Sequence, residues 1–139
     1  MKARKIAGLD PAASLGPNAR RIVATRFEEL HSLAEEAFVS DAAEAQHDMR
    51  IAAKRLRYAL EIVGPCIGES AEPARLAAKR LQSTLGDLHD CDVIMSRVEA
   101  VPSLAAAVSR RRESLFRAFA ELWWDDANRD LWAALERAL

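Results

Sequence analysis

Glycine and proline are scarce in this chain, at five each in 139 residues, and aromatic and β-branched side chains are sparse. Few breakers leave helices uninterrupted, and few sheet formers leave strands unsupported, so a β fold is disfavoured. The two cysteines, Cys66 and Cys91, lack CxxC spacing. That argues against a disulfide framework and sets a reduced cytoplasmic compartment as the expectation. Apolar runs fall short of the roughly 18–20 residues that span a bilayer. The basic start, MKARK, is not followed by the hydrophobic segment of a secretion signal. No membrane partner is therefore expected. An excess of one charge is missing as well: 20 basic side chains face 21 acidic ones, for a formal net charge of −1. A globally basic nucleic-acid binder would look different, so any anion site must arise from local clustering. There is no short-period repeat and no low-complexity run.

What is present is alanine, leucine and helical periodicity, in a chain whose length suits one domain. Residues 1–17 read as an N-terminal arm, broken by Gly8, Pro11, Gly16 and Pro17. Residues 18–139 read as a helical bundle. Asn18 is placed to cap a first helix running to about Val39, with Val23, Phe27, Leu30, Ala34 and Ala37 as its buried stripe. A second helix is expected from Ser40 or Asp41 to about Gly64, where Gly64-Pro65 stops it. The third should begin near Glu72 or Pro73 and continue towards Ala100, with Gly86 and the Asp90–Asp92 stretch as points of kinking or reset. Ser103 would cap a fourth helix with Leu104, Val108, Leu115, Phe119 and Leu122 inward. Asp125 or Asp126 opens a short final helix or a bent extension of the fourth, carrying Trp132 and Leu135. The expected fold is all-α: an antiparallel four-helix bundle with a fifth short C-terminal helix.

The second helix concentrates charge. Between His47 and Arg57 it holds a histidine and four cations, Arg50, Lys54, Arg55 and Arg57. At about 100° per residue, Met49, Ala52, Ala53, Leu56, Leu60 and Val63 share the core face. His47, Arg50, Lys54 and Arg57 line up beside that face, and Arg55 lies on a different side. Like charges three and four residues apart repel by a few tenths of a kcal/mol per pair. The next acid on the line is Glu61, so either a polyanion or acids from another helix must supply the missing charge. The third helix repeats the arrangement. Ala74, Ala77, Leu81, Thr84, Leu85 and Leu88 form its core face, and Arg75, Lys79, Gln82, Gly86 and His89 run beside it. Gly86 inside a helix costs about 1 kcal/mol against Ala; it serves either close helix packing or the approach of another group to the backbone. If the two helices are antiparallel neighbours, both lines border one groove, and Arg20, Arg111 and Arg112 are candidates to extend it. Arginine forks and lysine point charges suit phosphate oxygens. Tyr58 is the one aromatic beside the line, too few for the stacking platforms of single-strand nucleic-acid sites.

Two segments together carry a resemblance. His47-x-x-Arg50-Ile51-x-x-Lys54-Arg55-Leu56-Arg57, followed by Leu85-Gly86-x-x-His89-Asp90-x-Asp92-Val93, resembles the CHAD domain, the conserved-histidine α-helical domain. The family's motifs read roughly HxxRVxxRRLR and LGxxRDxDV. The resemblance implies an all-helical protein that binds inorganic polyphosphate in a basic groove, without catalysis, metal or cofactor. It also implies an association with polyphosphate granules or with polyphosphate-metabolising enzymes. His47, Arg50, Lys54, Arg55 and Arg57 become implied phosphate ligands. Lys79 matches a basic position ahead of the family's glycine, and Arg75 and His89 complete the set. Lys54 and His89 stand where the family usually has arginine, and the charge of His89 would depend on pH and on bound phosphate. Family members of full length hold two related halves. This chain resembles one, so a homodimer would rebuild the pair, with Trp123, Trp124 and Trp132 as interface candidates or as core caps.

Three other readings compete. A histidine phosphotransfer domain would place a glycine after its histidine and would not crowd it with cations. A metal-dependent phosphohydrolase would need converging His and Asp ligands, whereas neighbours in His47-Asp48 and His89-Asp90 diverge by about 100° on a helix. A general nucleic-acid-binding bundle differs from a polyphosphate binder in how readily polyphosphate displaces it from nucleic acid.

Overall fold

A computed structural model describes all of residues 1–139, and it is helical without strands. The elements are α1 (Leu15–Ser32), a single turn α2 (Ala34–Ala37), α3 (Ala43–Val63), a 3₁₀ turn at Gly64–Cys66, α4 (Ala71–Val98), α5 (Pro102–Trp124) and α6 (Asp126–Ala138). The second and third helices expected from the sequence are α3 and α4. No helix is long and apolar enough to cross a membrane.

One continuous core runs through the bundle, and the expected faces supply most of it. Met49, Ala52, Ala53, Leu56, Leu60 and Val63 of α3 are all buried. So are Ala74, Ala77, Leu81, Leu85 and Leu88 of α4, while Thr84 is half-buried at the margin. The α3–α4 interface is the most extensive, α5 packs on the other side of α4, and α1 packs on α3. The short α6 returns against α4 and α1, and α5 reaches α3 through a long side chain and not by close backbone packing. One face of the α3–α4 pair keeps Lys54, Tyr58 and Lys79 exposed.

Helix ends differ from the sequence expectations where side chains compete for backbone groups. Asn18 does not cap α1, which begins three residues earlier. Its carboxamide instead accepts from the Asp10 backbone N–H at 2.9 Å and donates to the Asp10 carbonyl at 2.7 Å. The first helix does not reach Val39. The Ser32 hydroxyl donates to the Glu29 carbonyl and accepts from the Arg4 guanidinium, and the chain bends at Leu33 into α2. Neither Ser40 nor Asp41 caps α3, which starts at Ala43; the turn before it is held by the buried Gln46 amide, which donates to the Ala37 and Val39 carbonyls. Gly68, at φ +111°, turns the chain between the 3₁₀ segment and α4 in a conformation that favours glycine.

Neither Gly86 nor the Asp90–Asp92 stretch interrupts α4, because Leu81, Leu85, Leu88 and Cys91 keep one face buried throughout. The final segment is a separate helix. Asp125 leaves helical geometry at φ −58° and ψ 131° and accepts the Asn128 N–H at 3.2 Å, a side-chain cap. Leu115 and Phe119 of α5 are buried, whereas Leu104, expected inward, is exposed near the tip of the α4–α5 hairpin.

Candidate phosphate-binding seam on α3 and α4

The expected lines meet in antiparallel register. The His47 and His89 rings face each other with centroids 4.5 Å apart. Three residues further along α3 and three back along α4, the Arg50 Nε lies 3.3 Å from the position a Cβ on Gly86 would take. Eleven residues beyond that pair in each direction, the Arg75 guanidinium reaches the Glu61 carboxylate at 3.4 Å. The same step places Lys54 opposite Gln82 and Arg57 opposite Lys79. Over the ten residue steps from His47 to Arg57 this seam spans ~15 Å at 1.5 Å per step. Gly86 thus makes room for a side chain: the Arg50 guanidinium lies across the α4 backbone where any larger residue would crowd it.

The polar accounting along the seam is incomplete. Five buried side-chain nitrogen or oxygen atoms in the protein have no hydrogen-bond partner, and four of them sit here: His47 Nδ1, Arg50 Nε, Arg57 Nε and Gln82 Oε1. Buried polar atoms are almost always paired, so a concentration of orphans marks a place where solvent or a ligand completes the bonding. A flip of the Gln82 amide would turn its N–H donors to the same place.

Cations on the seam fall into two groups. Arg50, Lys54 and Lys79 form no ion pair, and the two lysines are exposed. Arg57 is partly neutralised by Glu61 at 3.2 Å and stacks over the Tyr58 ring, with its guanidinium carbon 4.3 Å from the ring centre. At the far end Arg75 is held by Glu72 as well as Glu61, at 2.7 and 3.4 Å. Hydrogen bonding to Glu72 raises the Arg75 pKa, and bonding to Arg75 lowers that of Glu72. The seam is open in charge from His47 to Lys79 and closed by acids beyond it.

Several cations lie elsewhere. Arg55 points towards α1, donating to Glu29 at 2.8 Å and to the Met1 carbonyl at 2.8 Å. Glu29, 2 % exposed, also accepts from Arg26 and from the Arg4 backbone N–H, so this cluster pins the N-terminal arm to α1 and α3. Arg112 turns inward and joins α5 to Asp92, to the Gln46 side chain at 2.7 Å and to the Ser40 carbonyl at 2.6 Å. Arg111 is exposed on α5 and Arg20 is exposed on α1, so neither stands on the two helices that carry the seam. Which arginine meets Asp92, and its further reach to Gln46 and Ser40, was not legible in the sequence.

No curated protein and no solved structure matches the chain. A family model described as the CHAD domain matches residues 2–99, the arm through the end of α4, which takes in both motifs and the whole seam. The chain therefore belongs to the CHAD domain family.

Proposed function

We propose that the α3–α4 seam binds inorganic polyphosphate and does no chemistry on it. The carrying observation is the coincidence, on a face whose lysines are exposed, of unpaired cations with four buried polar atoms that lack partners. Membership of a family linked to polyphosphate binding supports the same ligand. Arg50 would offer its orphaned Nε and its terminal N–H groups as a fork to one phosphoryl unit. Lys54 and Lys79 add mobile point charges on opposite sides of the seam, and His47 with His89 adds imidazole N–H groups at one end. The carboxylate of Glu61, which reaches the Arg57 rung, is engaged by Arg57 and Arg75, which favours holding over hydrolysis.

Binding on this reading is electrostatic and releases counterions, so affinity falls steeply with salt, by analogy with nucleic-acid phosphates. A second copy of the chain is the natural source of an opposite wall. Polyphosphate granules or polyphosphate-metabolising enzymes in the cytoplasm are the settings in which such a module would act. The decisive test is Arg50→Glu combined with Arg57→Glu: polyphosphate binding is lost while the helical circular dichroism survives. Unchanged affinity in the folded double variant ends the proposal. Sedimentation with and without polyphosphate shows whether two copies assemble on the ligand.

A further inference from the structure

All three tryptophans of the chain gather at one place, where α1 meets the α5–α6 junction. They line a cleft of about 470 Å³ together with Phe27 and His31. Trp123 and Trp132 are buried with ring centres 6.3 Å apart, and Trp124 stands at the rim, 58 % exposed. The His31 ring is fixed from several sides: it overlaps Phe27 at 3.9 Å and meets Trp123 at 5.1 Å and Trp132 at 5.7 Å.

The cleft holds indole N–H and Arg129 donors, and the groups around His31 add acceptors. His31 Nδ1 lies 2.9 Å from the Phe27 carbonyl, so Nδ1 must carry the proton and donate. The other ring nitrogen, Nε2, is then a lone-pair acceptor, and it has no partner in the protein. Burial lowers the His31 pKa, which keeps the ring neutral near pH 7. Glu136 on α6 is near enough to oppose that shift, and Glu28 sits one turn before His31 on α1. Neither carboxylate is in an ion pair. The one lining cation, Arg129, is seven residues from Glu136 along α6, ~10 Å away by helical rise. The end of the cleft around His31 is therefore aromatic, acid-flanked and rich in acceptors.

We propose that this cleft binds small organic ammonium compounds with an apolar or aryl body. The body lies against the indole rings, and the ammonium N–H groups donate to His31 Nε2 and the Glu136 carboxylate. Aromatic faces attract cations as well as apolar surface, so body and charge are favoured together. The site shares no residue with the α3–α4 seam and has the opposite electrostatic sign.

The test uses an isosteric pair, 2-phenylethylammonium and phenylacetate, which carry the same ring with opposite charge. Because every tryptophan lines the cleft, intrinsic tryptophan fluorescence of the intact protein reads this site. A saturable change is expected with 2-phenylethylammonium, with phenylacetate at least about tenfold weaker. Glu136→Gln, at an exposed position, should weaken the ammonium compound several-fold and leave phenylacetate unchanged or tighter, with helical circular dichroism intact. Trp124→Ala at the rim should weaken both ligands. Equal affinity for the two compounds, a strictly linear response to the ammonium, or indifference to Glu136→Gln overturns the proposal.

Discussion

The seam between α3 and α4 and the cleft beside α6 are built from opposite materials. On the seam, cations stand on two helices with one stacked tyrosine, and the orphaned polar atoms include the Nε donors of two arginines. In the cleft, aromatic rings fix one another and the free polar atoms include an imidazole lone pair and two carboxylates. Yet both contain a histidine, and the contrast between these histidines is instructive. His31 has its Nδ1 partnered by the backbone and its ring enclosed by apolar neighbours. His47 has its Nδ1 buried without a partner, beside another imidazole and an arginine. A backbone bond fixes which nitrogen of His31 accepts, whereas no hydrogen bond within the protein fixes the tautomer of His47.

The largest expected effect tests whether the seam is separate from the fold. Arg50→Glu with Arg57→Glu should weaken polyphosphate binding by a factor of about 100 or more at low salt, while tryptophan fluorescence of the cleft stays as in the parent. A simultaneous change in the fluorescence would show that the two regions are coupled. Next comes the cluster that resembles the seam but serves the fold. Glu29→Gln leaves Arg26 and Arg55 without their buried carboxylate and should cost about 3 kcal/mol, or roughly 10 °C in Tm. Arg55→Met should likewise lower Tm and leave polyphosphate affinity unaltered, even though Arg55 lies inside the motif. A loss of affinity without loss of stability would return Arg55 to the ligand set.

Gly86→Ala separates packing from binding within one residue. Removing a helical glycine should stabilise the protein by up to about 1 kcal/mol. The added Cβ would lie 3.3 Å from Arg50 Nε and displace the guanidinium by tenths of an ångström, so affinity should fall a few-fold. Calorimetry and a binding titration on the same sample decide it; tighter binding would contradict the assigned place of Arg50. The smallest effect concerns His31. Its pKa is lowered by burial in the folded protein, so the unfolded chain binds more protons once the pH drops below the ordinary value of about 6.5. The stability it contributes is present above that pH and is lost as pH falls towards the folded-state pKa. The Tm should thus drop between pH 7.5 and 5 by more in the parent than in His31→Gln, and equal slopes would remove His31 as the cause.

Much of the bundle could be read from periodicity. The core faces of α3 and α4 follow directly from spacing, since every side chain on them had to turn the same way to leave water. Helix ends were read less well. Asn18 and Ser32 each have several backbone groups within reach, and only the folded neighbourhood decides which one is bonded. Leu104 illustrates the same limit for burial: it continues the apolar stripe of α5, yet it is exposed.

By itself the sequence determined that His47, Arg50, Lys54 and Arg57 share one side of a helix and that Arg75, Lys79, Gln82, Gly86 and His89 share one side of another, because helical geometry is local. It also placed Arg55 off that line. Which cations remain free was decided only by the tertiary structure. Arg55 and Arg112 are neutralised by acids distant in the chain, Glu29 and Asp92, whereas Arg50 meets a glycine. Charge pairing is a short-range contact between elements, so the periodicity of one helix carries no record of it. The convergence of three tryptophans on His31 has the same origin: α6 folds back onto α1, and that return, not any spacing within either helix, makes the cleft.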